Sequence, residues 1–195
     1  RPNVYKGNGQ SRLLQAVREA ILNTYPRSDV RADGQVVKIA FSGGMKFEIL
    51  PAFVTYGWNG IIYKYPDTNM GGNWRSTNPK AEQGAMRDKN KSSNGLLFDT
   101  CKHMRYIRDN YFKSYHLSGI VIDSFVYAAI KNWRWTTPEE SSSAAEPGEY
   151  EKLLYDYYLY NLRFSNTINA PGSNDYVDVS SSKDCLEKVL LKMCK

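Results

Sequence analysis

Lys46-Phe47-Glu48-Ile49-Leu50-Pro51-Ala52-Phe53 reads as a strand that carries one carboxylate into an otherwise apolar run. Val36-Val37-Lys38-Ile39-Ala40-Phe41 precedes it as a second strand-like run, and Ser42-Gly43-Gly44 joins the two as a hairpin. An acidic residue inside a strand is disfavoured, because its charge must be solvated, paired or bound to a metal. Glu48 therefore marks the stretch as a candidate site. Its plainer reading is an outward-facing residue on an edge strand.

Outward from this stretch, the elements follow their hydrophobic periods. Gln10 to Tyr25 is expected to form an amphipathic helix, with Leu13, Leu14, Val17, Ile21 and Tyr25 at helical spacing and Pro26 as its stop. Val30 to Ala32 reads as a short strand, turned by Asp33-Gly34. Gly60 to Lys64 reads as a further strand, and Tyr65 to Trp74 as a turn-rich loop. Asn78-Pro79 opens a helix that Asn94-Gly95 breaks. Further helices are expected at Leu96 to Phe112, about Asp123 to Trp133, Glu149 to Phe164, and Ser181 to Cys194 with a capping box of Ser181 and Asp184. Thr136 to Gly148 has linker composition, and Asn169 to Ser173 is a loop. One helix, a small sheet and then helices make an α+β pattern.

The composition narrows the function. At 195 residues, 42% of them hydrophobic, the chain can bury one good core plus a helical extension. No apolar run approaches the roughly 18 residues of a membrane span, so no membrane role is expected and the protein reads as cytoplasmic. Three cysteines at wide spacing suit neither a zinc site nor a disulfide framework, and they read as reduced thiols. Residues 1–135 hold twenty Lys and Arg against ten Asp and Glu, whereas 136–195 hold six against ten. A basic first part suits a polyanion such as a triphosphate or a nucleic acid, or is simply a solvated basic surface.

The order of several motifs resembles the bacterial nucleotidyltransferases related to cyclic GMP-AMP synthase, the CD-NTase (SMODS) family. The resemblance starts at Gly34-Gln35-Val36-Val37 and runs through Lys46 to Phe53, Pro66-Asp67, Trp74 to Pro79 and Asn94 to Leu97. It goes on through Cys101-Lys102, Arg105, Gly119 to Phe125, Ala170 to Ser173 and Leu186 to Leu190. It implies a DNA polymerase beta-like nucleotidyltransferase core over residues 1–80 and a helical C-terminal half over 81–195, with a mobile linker near 136–148. It also implies an enzyme that joins nucleoside triphosphates into cyclic di- or trinucleotides for antiphage signalling, with a possible regulatory protein partner.

The resemblance carries site residues with it. Glu48, three residues before Pro51, matches the third of three carboxylates that hold two Mg²⁺ ions. Lys102 or Arg105 matches a basic residue that contacts the triphosphate, and the register between them stays open. Ser124, expected at a helix start where N–H groups favour anions, matches a phosphate-contacting serine. Its plainer reading is an N-cap. Phe125 matches an aromatic that stacks on a base, or else packs in the core. No zinc is expected.

One departure is large. No Gly-Ser followed by a D-x-D strand stands upstream of Glu48. A single carboxylate does not hold two Mg²⁺ ions. The chain is therefore expected to be a fragment, inactive alone, whose D-x-D lies on a lost segment or a companion chain. The other reading is an inactive nucleotide- or RNA-binding module of the same fold.

Overall fold

The computed structural model describes residues 8–57, 60–69, 72–140 and 145–195. The chain divides into two compact units, Arg1–Asn78 and Pro79–Lys195.

The first unit opens with α1 (Gly9–Thr24), β1 (Asp29–Asp33) and β2 (Val36–Ala40), followed by β3 (Lys46–Ile49). Asp33-Gly34 makes the first turn, with Gly34 at a φ of 60°, a conformation that glycine adopts without a Cβ penalty. The three strands form an antiparallel sheet in the order β1-β2-β3. Alternation along β2 sends Val37 and Ile39 into a small core with Leu14 of α1 and Val30 of β1. Val17, Ile21 and Leu22 close over it. Arg18 donates from Nε to the Val30 carbonyl at 3.0 Å and pins the helix to the sheet.

The apolar run around Glu48 is two strands and not one. β3 ends at Ile49, and β4 (Phe53–Gly57) belongs to a second antiparallel sheet in the order β4-β5-β6. Pro51 stands in the break, where it lacks the N–H that a ladder needs. β5 runs over Gly60–Asp67 and β6 over Asn73–Thr77. Residues 65–67 and 73–74 of the loop expected over Tyr65 to Trp74 are thus strand. Met70 and Gly71 within that stretch lie outside the described residues. The Phe53 and Trp74 rings meet at 5.5 Å between centroids, which ties β4 to β6 on one sheet face.

Asp67, at the end of β5, is 3% exposed. It accepts bonds from the Asn69 amide and side chain, and it pairs ionically with Arg75, whose Nε lies 2.6 Å from its Oδ2. Thr68 beside it donates from its amide and its hydroxyl to the Gly34 carbonyl. The β1–β2 turn is thereby fastened to the end of β5.

The second unit holds α2 (Pro79–Ser92), α3 (Leu96–Tyr111), α4 (Gly119–Ala129), α5 (Glu149–Tyr157), a π-helical turn (Tyr158–Leu162) and α6 (Lys183–Met193). A two-stranded ribbon of β7 (Thr167–Asn169) and β8 (Tyr176–Asp178) precedes α6, and periodicity did not reveal it. Leu97, Cys101, Met104 and Ile107 form the inner stripe of α3. They pack with Val121, Ile122, Phe125 and Val126 of α4, Leu154 of α5, and Leu186, Val189 and Leu190 of α6. Truncating one of the larger of these side chains to alanine costs on the order of 2–5 kcal/mol.

Two helix starts differ from expectation. α4 begins at Gly119, four residues before Asp123, because Ser118 is its N-cap. α6 begins at Lys183 with Ser182 as N-cap and no side-chain cap bond, so the expected Ser181–Asp184 capping box does not form. The Ser182 hydroxyl instead accepts from the Ser118 amide at 3.3 Å. Residues 141–144 of the expected linker lie outside the described residues.

Candidate functional site

The strand pairing places Glu48 directly. Lys38 stands opposite Glu48 and Ile39 opposite Phe47. Paired residues share a sheet face, so Glu48 points away from the core that Val37 and Ile39 enter. Its side chain is 65% exposed, and Lys38 Nζ lies 3.8 Å from its Oε1. The carboxylate is therefore solvated and loosely paired, which removes the apparent conflict of a charge in an apolar strand. Among the described residues, no group of three or more His, Cys, Asp or Glu side chains could hold a metal ion. Glu48 can offer oxygen ligands, but the residues present do not make a Mg²⁺ site by themselves.

The richer chemistry lies in the second unit. A cavity of about 400 Å³ opens there, and every residue lining it belongs to this unit. Glu82, Gln83, Met86 and Arg87 reach it from α2, and Phe98, Cys101, Lys102 and Arg105 from α3. Ile120 and Asp123 of α4 and Pro171 of the β7–β8 loop complete it. Each helix contributes residues about one turn apart, the spacing of one helix face.

The cations of this cavity differ in their freedom. Arg105 donates from Nη2 to Asp123 Oδ1 at 2.7 Å and to the Gly119 carbonyl at 3.3 Å. Burial alone would lower its pKa, but the Asp123 bond and charge outweigh that and raise it. Lys102 is 76% exposed and has only Asp99 at 3.8 Å. The structure thus brings both expected basic residues to one cavity, with Arg105 engaged and Lys102 open to an anion. The Cys101 thiol, beside Arg105 and Asp123, is pushed up to about 12, chiefly by burial. It is not a nucleophile at neutral pH.

Glu82 is half-buried at the cavity wall. Ser173 donates to its Oε1 at 3.1 Å. Desolvation raises its pKa, the Ser173 bond opposes that, and the charge of Asp175 adds to the rise. The loop that carries Ser173 is fixed by Gly172. A Cβ there would stand 2.5 Å from the Ala81 carbonyl oxygen, at a φ of +68°. Only glycine lets the loop lie so close to α2.

Ser124 and Phe125 are corrected by the packing. Ser124 lies in the second turn of α4 and not at its start, so no free helix N–H groups surround it. Its side chain is fully buried, and among the described residues its hydroxyl has no hydrogen-bond partner. Phe125 is 0% exposed and meets Tyr157 edge-on at 5.9 Å, so its ring is a core residue and offers no face to a base. Sequence reasoning passed over Glu82, Phe98, Ile120, Asp123 and Pro171 as site residues. Residues 82, 83, 86 and 87 on α2 and residues 98, 101, 102 and 105 on α3 each fall on one helix face, and this was the available signal.

These two units define a nucleotidyltransferase fold. The chain is similar to Elizabethkingia meningoseptica CdnE cyclic dinucleotide synthase with a TM-score of 0.63 at 10% identity, over 94% of this chain and 69% of that one. It is similar to the STING-associated CdnE c-di-GMP synthase of Capnocytophaga granulosa with a TM-score of 0.63 at 12% identity, over 95% and 62%. Vibrio cholerae DncV in its GTP-bound form gives 0.59 at 13% identity, over 92% and 48%. The chain thus spans from about half to just over two thirds of these proteins. No curated protein sequence matches it. Residues 2–90 match the sequence model of the Second Messenger Oligonucleotide or Dinucleotide Synthetase domain. The fold is thus that of the CD-NTase structures, and residues 2–90 carry the likeness to the synthetase domain.

Proposed function

We propose that the chain is part of a Mg²⁺-dependent nucleotidyltransferase that joins nucleoside triphosphates into cyclic di- or trinucleotide second messengers for antiphage signalling in the cytoplasm. The observation that carries this reading is the match of residues 2–90 to the synthetase domain, with Glu48 exposed on the edge strand β3 inside it. Bound Mg²⁺ would neutralise the triphosphate and polarise its phosphorus centre. Glu48 is one ligand in this reading. The further carboxylates belong to a D-x-D segment outside these 195 residues or on a companion chain.

The chain's own residues bind and position. Lys102 attracts the triphosphate, since it is an exposed cation of the cavity with only a distant carboxylate partner. Arg105 holds Asp123 in place and keeps α3 and α4 in register at the cavity floor. The apolar wall excludes water from one side of whatever enters.

The test is incubation of the complete protein with the four nucleoside triphosphates and Mg²⁺, followed by mass spectrometry of the products. Cyclic oligonucleotides, lost on Glu48→Ala, are expected. The second reading, an inactive nucleotide- or RNA-binding module, draws on the excess of Lys and Arg over Asp and Glu in residues 1–135. It prevails if nucleotides bind and no product forms.

A further inference from the structure

The cavity of the second unit contains two carboxylates in different states. Asp123 is neutralised by Arg105 at 2.7 Å. Glu82 has only a hydroxyl, that of Ser173, and no cation pairs with it among the described residues. A half-buried carboxylate without a cation keeps unused acceptor lone pairs, and N–H donors are what satisfy them. Apolar side chains line the same cavity, those of Phe98, Ile120 and Pro171. Lys102 and Arg87 stand at the same cavity as cations.

An apolar lining, a carboxylate without a cation and nearby cations fit a planar heterocycle that carries adjacent N–H donors and a phosphate chain. Of the common bases, guanine alone presents two neighbouring donors, N1–H and the 2-amino group, on one edge. Adenine presents an amino group beside an acceptor nitrogen, and that nitrogen would face the carboxylate oxygen with repulsion. We propose that Glu82 makes this cavity selective for guanine nucleotides, its carboxylate accepting from N1–H and the 2-amino group. Ser173 is the positioning residue, because its bond fixes the Glu82 rotamer. Gly172 supports both by letting the loop approach α2.

This inference rests on the nucleotide-binding reading above and adds the identity of the base. The two fail in different ways. The experiment is calorimetric titration of the complete protein and its Glu82→Gln variant with GTP, ITP, ATP and UTP. Glu82→Gln preserves size and the bond from Ser173, and equal thermal midpoints check that it folds. GTP is expected to bind roughly tenfold more tightly than ATP, a typical value for a two-point contact to a base. ITP, which lacks the 2-amino group, is expected to fall between them. Glu82→Gln should reduce GTP affinity about tenfold and leave ATP unchanged, whereas Lys102→Ala should weaken all four alike.

Binding of all four with equal affinity, unchanged by Glu82→Gln, overturns the guanine assignment and leaves the nucleotide reading standing. An equal loss for all four on Glu82→Gln also overturns it, since the residue then shapes the cavity without reading the base. Absence of binding by every nucleotide overturns both.

Discussion

Arg105 Nη2 lies 2.7 Å from Asp123 Oδ1, and this bond divides the work of two basic residues on one helix. Arg105 ties α3 to α4, while Lys102, one turn earlier, stays open. Arg105→Ala should destabilise the protein by about 1–2 kcal/mol, since a charged hydrogen bond is lost but about a third of each side chain remains in water. Lys102→Ala should leave stability within about 0.5 kcal/mol and weaken nucleotide binding. Denaturant titration and calorimetry on the two variants separate these effects.

Gly172 gives a sharper packing test. Alanine there meets the Ala81 carbonyl and Ala85 Cβ and must also hold a positive φ. Gly172→Ala should cost roughly 2–4 kcal/mol, from the combined strain of both. It should also push Ser173 away from Glu82. A thermal midpoint equal to wild type would show that the loop yields without cost.

Asp67 makes the first unit sensitive to acid. The Asn69 amide bond lowers its pKa most, burial opposes, and Gln35, the Asn69 side chain and Arg75 add to the lowering. The folded value lies below that of the unfolded chain, about 3.9. Its stabilisation is therefore complete at neutral pH, above the unfolded value, and is lost as pH falls through the folded value. Asp67→Asn should lower the midpoint of urea unfolding at pH 7 and flatten its decline between about pH 5 and 2. An unchanged pH profile would mean that other carboxylates carry the acid response.

Glu48 is exposed and only loosely paired, so its removal should be silent for folding. Glu48→Gln should shift stability by no more than about 0.5 kcal/mol while abolishing cyclic product in the complete enzyme. Product formation at the wild-type rate would exclude Glu48 from the metal site.

The three thiols should differ in reactivity. Cys194 is exposed, while Cys101 and Cys185 are buried. Burial and the neighbouring Asp123 carboxylate hold the Cys101 thiol at about 12. A maleimide at pH 7 should label one thiol per chain quickly and the others only after unfolding, with peptide mapping to identify Cys194.

Much of the fold was legible where a hydrophobic period runs uninterrupted. The stripe Leu97, Cys101, Met104, Ile107 on α3 and the turn at Asp33-Gly34 follow from local chemistry alone. β6 and the β7–β8 ribbon were not legible, because short strands with polar residues carry little alternation. The start of α4 was misplaced because Asp123 and Ser124 read as cap residues, while the N-cap is Ser118, which makes no side-chain cap bond. That shift of four residues moved Ser124 from an expected phosphate contact into the core, and it put Phe125 in the core-packing reading and not the base-stacking one.

The sequence by itself determined the α+β pattern, the likeness of its motifs to the CD-NTase proteins, and the presence of Glu48, Lys102 and Arg105 as site candidates. All of these rest on residue order and on periods within single elements. Only the tertiary structure decided that Glu48 faces solvent, that Asp123 neutralises Arg105, and that Glu82 and Ser173 meet at the cavity that Lys102 lines. Those relations join residues far apart in the chain, and the close packing of helix faces and loops, which no local pattern encodes, sets them.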